Sequence, residues 1–171
     1  MPDAVPPPVE LQRLRWWHLP EVLAIEQEVF GPESWTPALY WSELAQAGSL
    51  LRPRAATRYY VVAVARGHVR GYAGLAVGGD PELDGADVQT IAVAPDAQGT
   101  GLGRRLLRAL IEEADARGAG RVHLEVRADE PVARGLYESE GFVTVGRRRG
   151  YYQPSNADAL TMVRRRGGGA A

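Results

Sequence analysis

The stretch Gln98-Gly99-Thr100-Gly101-Leu102-Gly103 decides how this chain folds. It follows an apolar run at residues 88–93 and opens an amphipathic run at 102–117. In that run Gly103, Leu106, Leu107, Leu110, Ile111 and Ala114 share one helical face. Arg104, Arg105, Arg108, Glu112 and Asp115 fill the other, and Gly118 closes the segment. The pattern predicts a strand, a glycine turn and a helix. A helix start carries amide groups without internal partners and about half a positive charge. Three glycines at that point leave the amides approachable, which suits phosphate oxygens.

Outward from this unit the chain alternates short runs. Residues 11–15 predict a strand, 19–30 a helix stopped by Gly31-Pro32, and Thr36 caps a second helix running to about Ala47. Residues 48–58 read as a loop bearing arginine and proline, and 59–66 and 69–77 as a hairpin turning at Gly67-His68. A polar turn at 78–86 precedes the strand at 88–93. Beyond the central helix come a strand at 122–126 and a helix from Pro131 to Gly141. Strands at 142–147 and 159–163 follow, joined by a long connection at 148–158. Hairpins mixed with crossovers predict an α/β (α+β) fold: a mixed sheet of six to seven strands flanked by about four helices. One domain at 9–166 is expected, with loose tails at 1–8 and 167–171.

Composition narrows the chemistry. The 171 residues carry a formal net charge of −1, so no global field draws the chain to nucleic acid or anionic lipid. No apolar run nears the roughly 20 residues of a spanning helix, and the first eight residues lack a secretory pattern. A cytoplasmic location is the expectation. There is no cysteine, hence no thiolate metal site and no covalent thiol route. All twenty basic residues are arginine, which removes Schiff-base chemistry and a P-loop lysine. The three histidines, His18, His68 and His123, do not pair at metal-ligand spacing, so no metal is expected.

Two nucleotide-binding readings compete for the glycine loop. A dinucleotide fingerprint wants G-x-G-x-x-G directly after a strand, with an acidic residue roughly 20 positions on. Glu125 stands near that distance, but Arg104 occupies the third glycine's place and the loop begins past Pro95. A P-loop needs G-K-[ST], which is absent. What remains is Q-x-x-G-x-G.

That motif, with Ile91-Ala92-Val93, Leu124-Glu125-Val126-Arg127 and Leu136-Tyr137-Glu138-Ser139-x-Gly141-Phe142, resembles the GNAT family of N-acetyltransferases. Phe30, Trp35-Thr36 and Arg149-x-Tyr151-Tyr152 extend the likeness to its ribosomal-protein-alanine N-acetyltransferase (RimI-type) group. The resemblance implies acetyl-CoA as cosubstrate. It implies that Gln98, Gly99, Thr100, Gly101, Leu102, Gly103 and Arg104 cradle the diphosphate. Ile91, Ala92 and Val93 would pair with the pantetheine arm as an added strand. Arg104 and Arg105 would add charge at the phosphate end. Where relatives often carry a cofactor-contacting Asn, this chain has Glu130. The implied acceptor is a protein N-terminus, that of an alanine-starting small-subunit ribosomal protein. Other N-termini, lysines, small amines, or CoA sensing without turnover remain open.

Acetyl transfer needs a free amine, a departing thiol and management of two protons. Glu125 is the candidate base: strand alternation puts it on one face with His123, with Val122, Leu124 and Val126 on the other. Full transfer from an α-amine near 8 to an ordinary Glu near 4.3 is uphill by roughly 5 kcal/mol. Glu125 must therefore have a raised pKa, relay through water, or take the proton as the C–N bond forms. Tyr137 is the candidate acid or hydrogen-bond donor to sulfur, full donation costing about 2 kcal/mol. Trp16, Trp17, Trp35 and Trp41 are expected in the core or anchoring helices. Tyr151 and Tyr152 are placed in a loop that could touch the acceptor, and 147–149 and 164–166 read as solvated arginine runs.

Overall fold

The structure is a computed structural model that describes residues 8–48 and 56–167. The expected tails at 1–8 and 167–171, apart from residues 8 and 167, and most of the expected loop at 48–58 lie outside the described residues. Seven strands form one sheet in the order β1-β2-β3-β4-β5-β7-β6. They are β1 (Glu10–Arg13), β2 (Arg58–Ala65), β3 (His68–Val77), β4 (Ala86–Val93), β5 (Arg121–Arg127), β6 (Val143–Tyr152) and β7 (Ala157–Arg165). The described helices are α1 (Leu19–Phe30), α2 (Pro37–Gln46), the single turn α3 (Pro81–Asp84), α4 (Leu102–Ala116) and α5 (Pro131–Ser139).

Each element follows from its residues. The β2–β3 hairpin turns on Arg66 and Gly67, both at positive φ, one residue earlier than the sequence indicates. Thr36 caps α2, accepting from the Leu39 amide at 3.2 Å, with Pro37 in the first turn. In α4, Leu106, Leu107, Leu110 and Ala114 are wholly buried, and Leu102 and Ile111 nearly so. The apolar stripe read from the sequence is the face that packs on β2, β3 and β4.

The sheet separates two faces, and β3 shows which is which. A Cβ at Gly71 would meet Leu106 of α4, whereas the next residue, Tyr72, hydrogen-bonds Glu26 of α1. Under α1 that carboxylate is a hub. Glu26 is 2% exposed. It accepts from Tyr40 Oη at 2.6 Å, the Trp35 amide at 2.8 Å and Tyr72 Oη. Burial pushes the phenols of Tyr40 and Tyr72 well above their ordinary range, so both stay donors.

Two expectations are corrected. The strand expected at 142–147 runs on to Tyr152, and the connection shrinks to a turn at 153–156. β6 is an edge strand with eight of its ten residues exposed, Val143 to Arg149 and Tyr151. With both faces open to water, Arg147, Arg148 and Arg149 can occupy a strand as readily as a loop. The tryptophans divide: Trp35 packs on the core, but Trp16, Trp17 and Trp41 are more than half exposed. Trp41 lies off the face of α2 that buries Tyr40 and Glu43.

Candidate active site

Strands β4 and β5 run parallel but are paired only at Ala86–Val122 and Asp87–His123. Just beyond, Gln89 is skipped in the β3–β4 register, which passes from Leu75–Val88 to Gly74–Thr90. Such a bulge bends its strand. The C-terminal halves of β4 and β5 therefore part, and Thr90, Ile91, Ala92 and Val93 have no partner on the β5 side among the described residues. An extended ligand chain can hydrogen-bond to such an open strand edge.

The glycine loop stands at the end of β4. Gly99 and Gly101 have φ of +75° and +82°, conformations that other residues reach only at a cost. The Gln98 side chain donates to the Val93 carbonyl at 3.2 Å, and Thr100 Oγ1 to the Ala97 carbonyl at 2.7 Å. Both side chains therefore fold the loop onto itself. The Gln98 amide donates to the Pro95 carbonyl at 3.3 Å, and the next amide with a protein acceptor is that of Arg105, bonded to the Gly101 carbonyl at 3.2 Å. Among the described residues, the six amides at 99–104 meet no acceptor. Six unpartnered donors at a helix N-terminus fit a diphosphate.

Arg105 donates to the Val9 carbonyl at 2.9 Å. Arg104 lies at the loop and is held by Ser139 and Glu140. Glu130 is exposed at the start of α5 and makes no capping bond with its side chain.

Glu125 lies in β5 on the half-buried face with His123 and Arg127, while Val122, Leu124 and Val126 are buried on the other. Its partner is not a β5 neighbour: Arg148 of β6 approaches it at 3.4 Å. Tyr137, on α5, is 7% exposed and packs edge-on against Phe142. Burial raises its phenol above the ordinary range, with Tyr152 adding to the shift. Tyr152 is itself pushed up to about 12, by burial first and then by Tyr151 and Glu125. Glu125 thus acts on Tyr152 and Tyr152 on Tyr137, linking two residues that sequence alone assigned to separate elements.

A second cluster frames this face, and sequence reading missed it. Arg127 Nη1 donates to both Glu33 oxygens at 2.9 and 2.8 Å, and its Nε and Nη2 donate to Asp129 at 2.9 Å. Ser155 also donates to Glu33, and Arg127 lies 5.7 Å from the Tyr152 ring. The α1–α2 connection is thereby tied to the β6–β7 turn across 122 residues of sequence. Only the unusual density of charge around Leu124-Glu125-Val126-Arg127 could have hinted at it. No group of His, Cys, Asp or Glu among the described residues could hold a metal ion, and no described helix is long and apolar enough to cross a membrane.

A strand pair split beside a glycine-led helix is the architecture of an acyl-CoA-dependent transferase, and the chain belongs to the acetyltransferase (GNAT) family, whose profile matches residues 12–142. It is accordingly an N-acetyltransferase. Over 142 residues it is 44% identical to the N-alpha-acetyltransferase RimI of Mycobacterium tuberculosis, covering 82% of each chain. An 83-residue stretch is 48% identical to the ribosomal protein bS18-alanine N-acetyltransferase of Escherichia coli, covering 47% of this chain and 56% of that one. The crystal structure of the Escherichia coli ribosomal-protein-S18-alanine N-acetyltransferase superposes with a TM-score of 0.75 at 30% identity, over 95% of this chain and 99% of the other.

Proposed function

We propose that this enzyme moves the acetyl group of acetyl-CoA onto the α-amine of a protein N-terminus, the preferred acceptor being an alanine-starting ribosomal protein of the bS18 kind. The observation that carries the reading is the run of six unpartnered amides beside the split between β4 and β5, with Glu125 on β5 and with α5 brought to Gly103 and Val93 through Leu136, the neighbour of Tyr137. The named activities of the similar enzymes support the acceptor.

In this reading the amides at 99–104 hold the diphosphate, and the open edge at Ile91, Ala92 and Val93 holds the pantetheine arm. Acetyl-CoA supplies the activated carbonyl. The acceptor amine attacks it directly, since the chain has no cysteine to take the acetyl group first. Glu125 receives the proton the amine loses as the C–N bond forms. At pH 7 roughly a tenth of an α-amine is already neutral, against under a thousandth of a lysine side chain, which favours the terminal acceptor. Tyr137 donates a hydrogen bond to the departing sulfur. Its raised phenol keeps that proton throughout the working range and favours hydrogen bonding over outright proton transfer.

Tyr137→Phe keeps the ring packed on Phe142 and removes only the donor. Its kcat falls about 10- to 30-fold, the scale of one hydrogen bond to a developing charge. Wild-type turnover in a CoA-release assay would make Tyr137 a packing residue alone. Acceptor identity is tested by CoA release with peptides of varied first residue, N-acetylated controls, lysine-bearing peptides and small amines. The alanine-starting ribosomal peptide should be fastest. Faster turnover of lysines or small amines would overturn the acceptor assignment, and no release with any acceptor would leave only cofactor binding.

A further inference from the structure

Glu140, just past α5, belongs to no motif read from the sequence, yet it is the most heavily bonded carboxylate near the glycine loop. Its side chain is 10% exposed. Arg104 Nη1 donates to Oε1 at 2.7 Å, and Arg108 donates through Nη2 to Oε1 and through Nε to Oε2, each at 3.0 Å. The Arg164 side chain holds the Glu140 carbonyl at 3.1 Å, fixing the residue to β7. The two guanidinium groups keep the carboxyl below its usual range, Arg108 contributing most. The three side chains together carry a net charge of +1.

Arg104 spends only Nη1 in these contacts, on Glu140 and on Ser139 Oγ at 3.0 Å. Its Nε and Nη2 have no acceptor among the described residues. Those two groups are the edge through which a guanidinium binds an oxyanion bidentately. Arg104 also contributes the last of the six unpartnered amides. Left alone, Arg104 and Arg108 would repel each other and sample many rotamers, and a ligand would have to freeze one.

We infer that Glu140 is a positioning residue for the cofactor site: it fixes Arg104 in the one arrangement that presents an open guanidinium edge to a phosphate of the cofactor. The inference rests on the cofactor reading above and goes beyond it by naming the side chain that adds to the amides and the residue that presets it. Its charge consequence is opposite to simple electrostatics, under which removing a carboxylate from an anion site tightens binding.

The test is calorimetric titration of the full chain with CoA, alongside thermal melting. Glu140→Gln and Arg104→Ala each weaken CoA binding about five- to tenfold. The double variant binds as Arg104→Ala does, within about twofold, because Glu140 acts through Arg104. Wild-type affinity falls as salt rises from 50 to 200 mM, and Arg104→Ala flattens that dependence. In turnover the loss falls on KM for acetyl-CoA rather than on kcat. Unchanged or tighter CoA binding by Glu140→Gln, or multiplying effects in the double variant, would overturn the inference. With wild-type binding intact, those results leave the cofactor reading standing. Wild-type protein that binds no CoA overturns both.

Discussion

Glu125→Gln is expected to lower kcat by about 10²- to 10³-fold while CoA affinity stays within twofold of wild type. The substitution preserves size and the hydrogen bond it can offer Arg148, but an amide cannot take a proton from an attacking amine. The magnitude is that of a positioned general base. The site in β5 makes the effect specific: alternation holds the side chain on the half-buried face, away from the core packing of Leu124 and Val126. Removing the charge therefore spares the fold. CoA affinity is spared because the amides at 99–104 lie on a different segment. Stopped-flow CoA release against titration calorimetry separates the two effects. Turnover at the wild-type rate would remove Glu125 from the chemistry.

Glu26→Ala carries the largest expected cost in stability. It removes an acceptor that serves Tyr40, Tyr72 and the Trp35 amide at once, all in the interior between α1, α2 and β3. Each orphaned donor costs about 1–3 kcal/mol, and a shared vacancy that water can enter brings the sum to about 4 kcal/mol. For a chain of this size that lowers Tm by about 10 °C. The loss is a large fraction of a typical domain's total stability. Thermal and urea melts measure it, and a shift under 2 °C would mean that Glu26 is not the hub its geometry describes. The Trp35 amide opens the approach to α2, so the same variant should loosen the α1–α2 connection that carries Glu33.

How much of this was legible in the sequence depended on the range of the interaction. Gly101 and α4 were readable because their determinants are local: a positive φ that glycine alone adopts freely, and a 3.6-residue stripe from Leu102 to Ala114. Glu125 was readable because a carboxylate in an alternating apolar strand breaks the pattern. Its partner was not, since Arg148 comes from an edge strand whose arginines look like a loop. Glu33 with Arg127 and Ser155 was invisible for the same reason, as no local pattern pairs residues about 30, 127 and 155. Glu26 read as one more polar position in an amphipathic helix, and only the fold brings two phenols to it. The exposed Trp16, Trp17 and Trp41 show the converse limit: aromatic character does not by itself determine burial. What sequence could not supply was register between distant strands, which is where the charge clusters of this protein were built.

Whether amides at the start of α4 grip the diphosphate of CoA is decided by titration calorimetry of wild type and Gly101→Val. Gly101 has φ of +82°, and a β-branched residue there must leave the left-handed region or bear strain of about 1–2 kcal/mol or more. A Cβ at this position meets no protein atom within 4 Å, so the variant keeps its core and loses only the loop's shape. Wild type should bind CoA saturably and Gly101→Val at least tenfold more weakly, at unchanged helical content. Equal affinity in the two proteins, or no heat of binding in wild type, would contradict it.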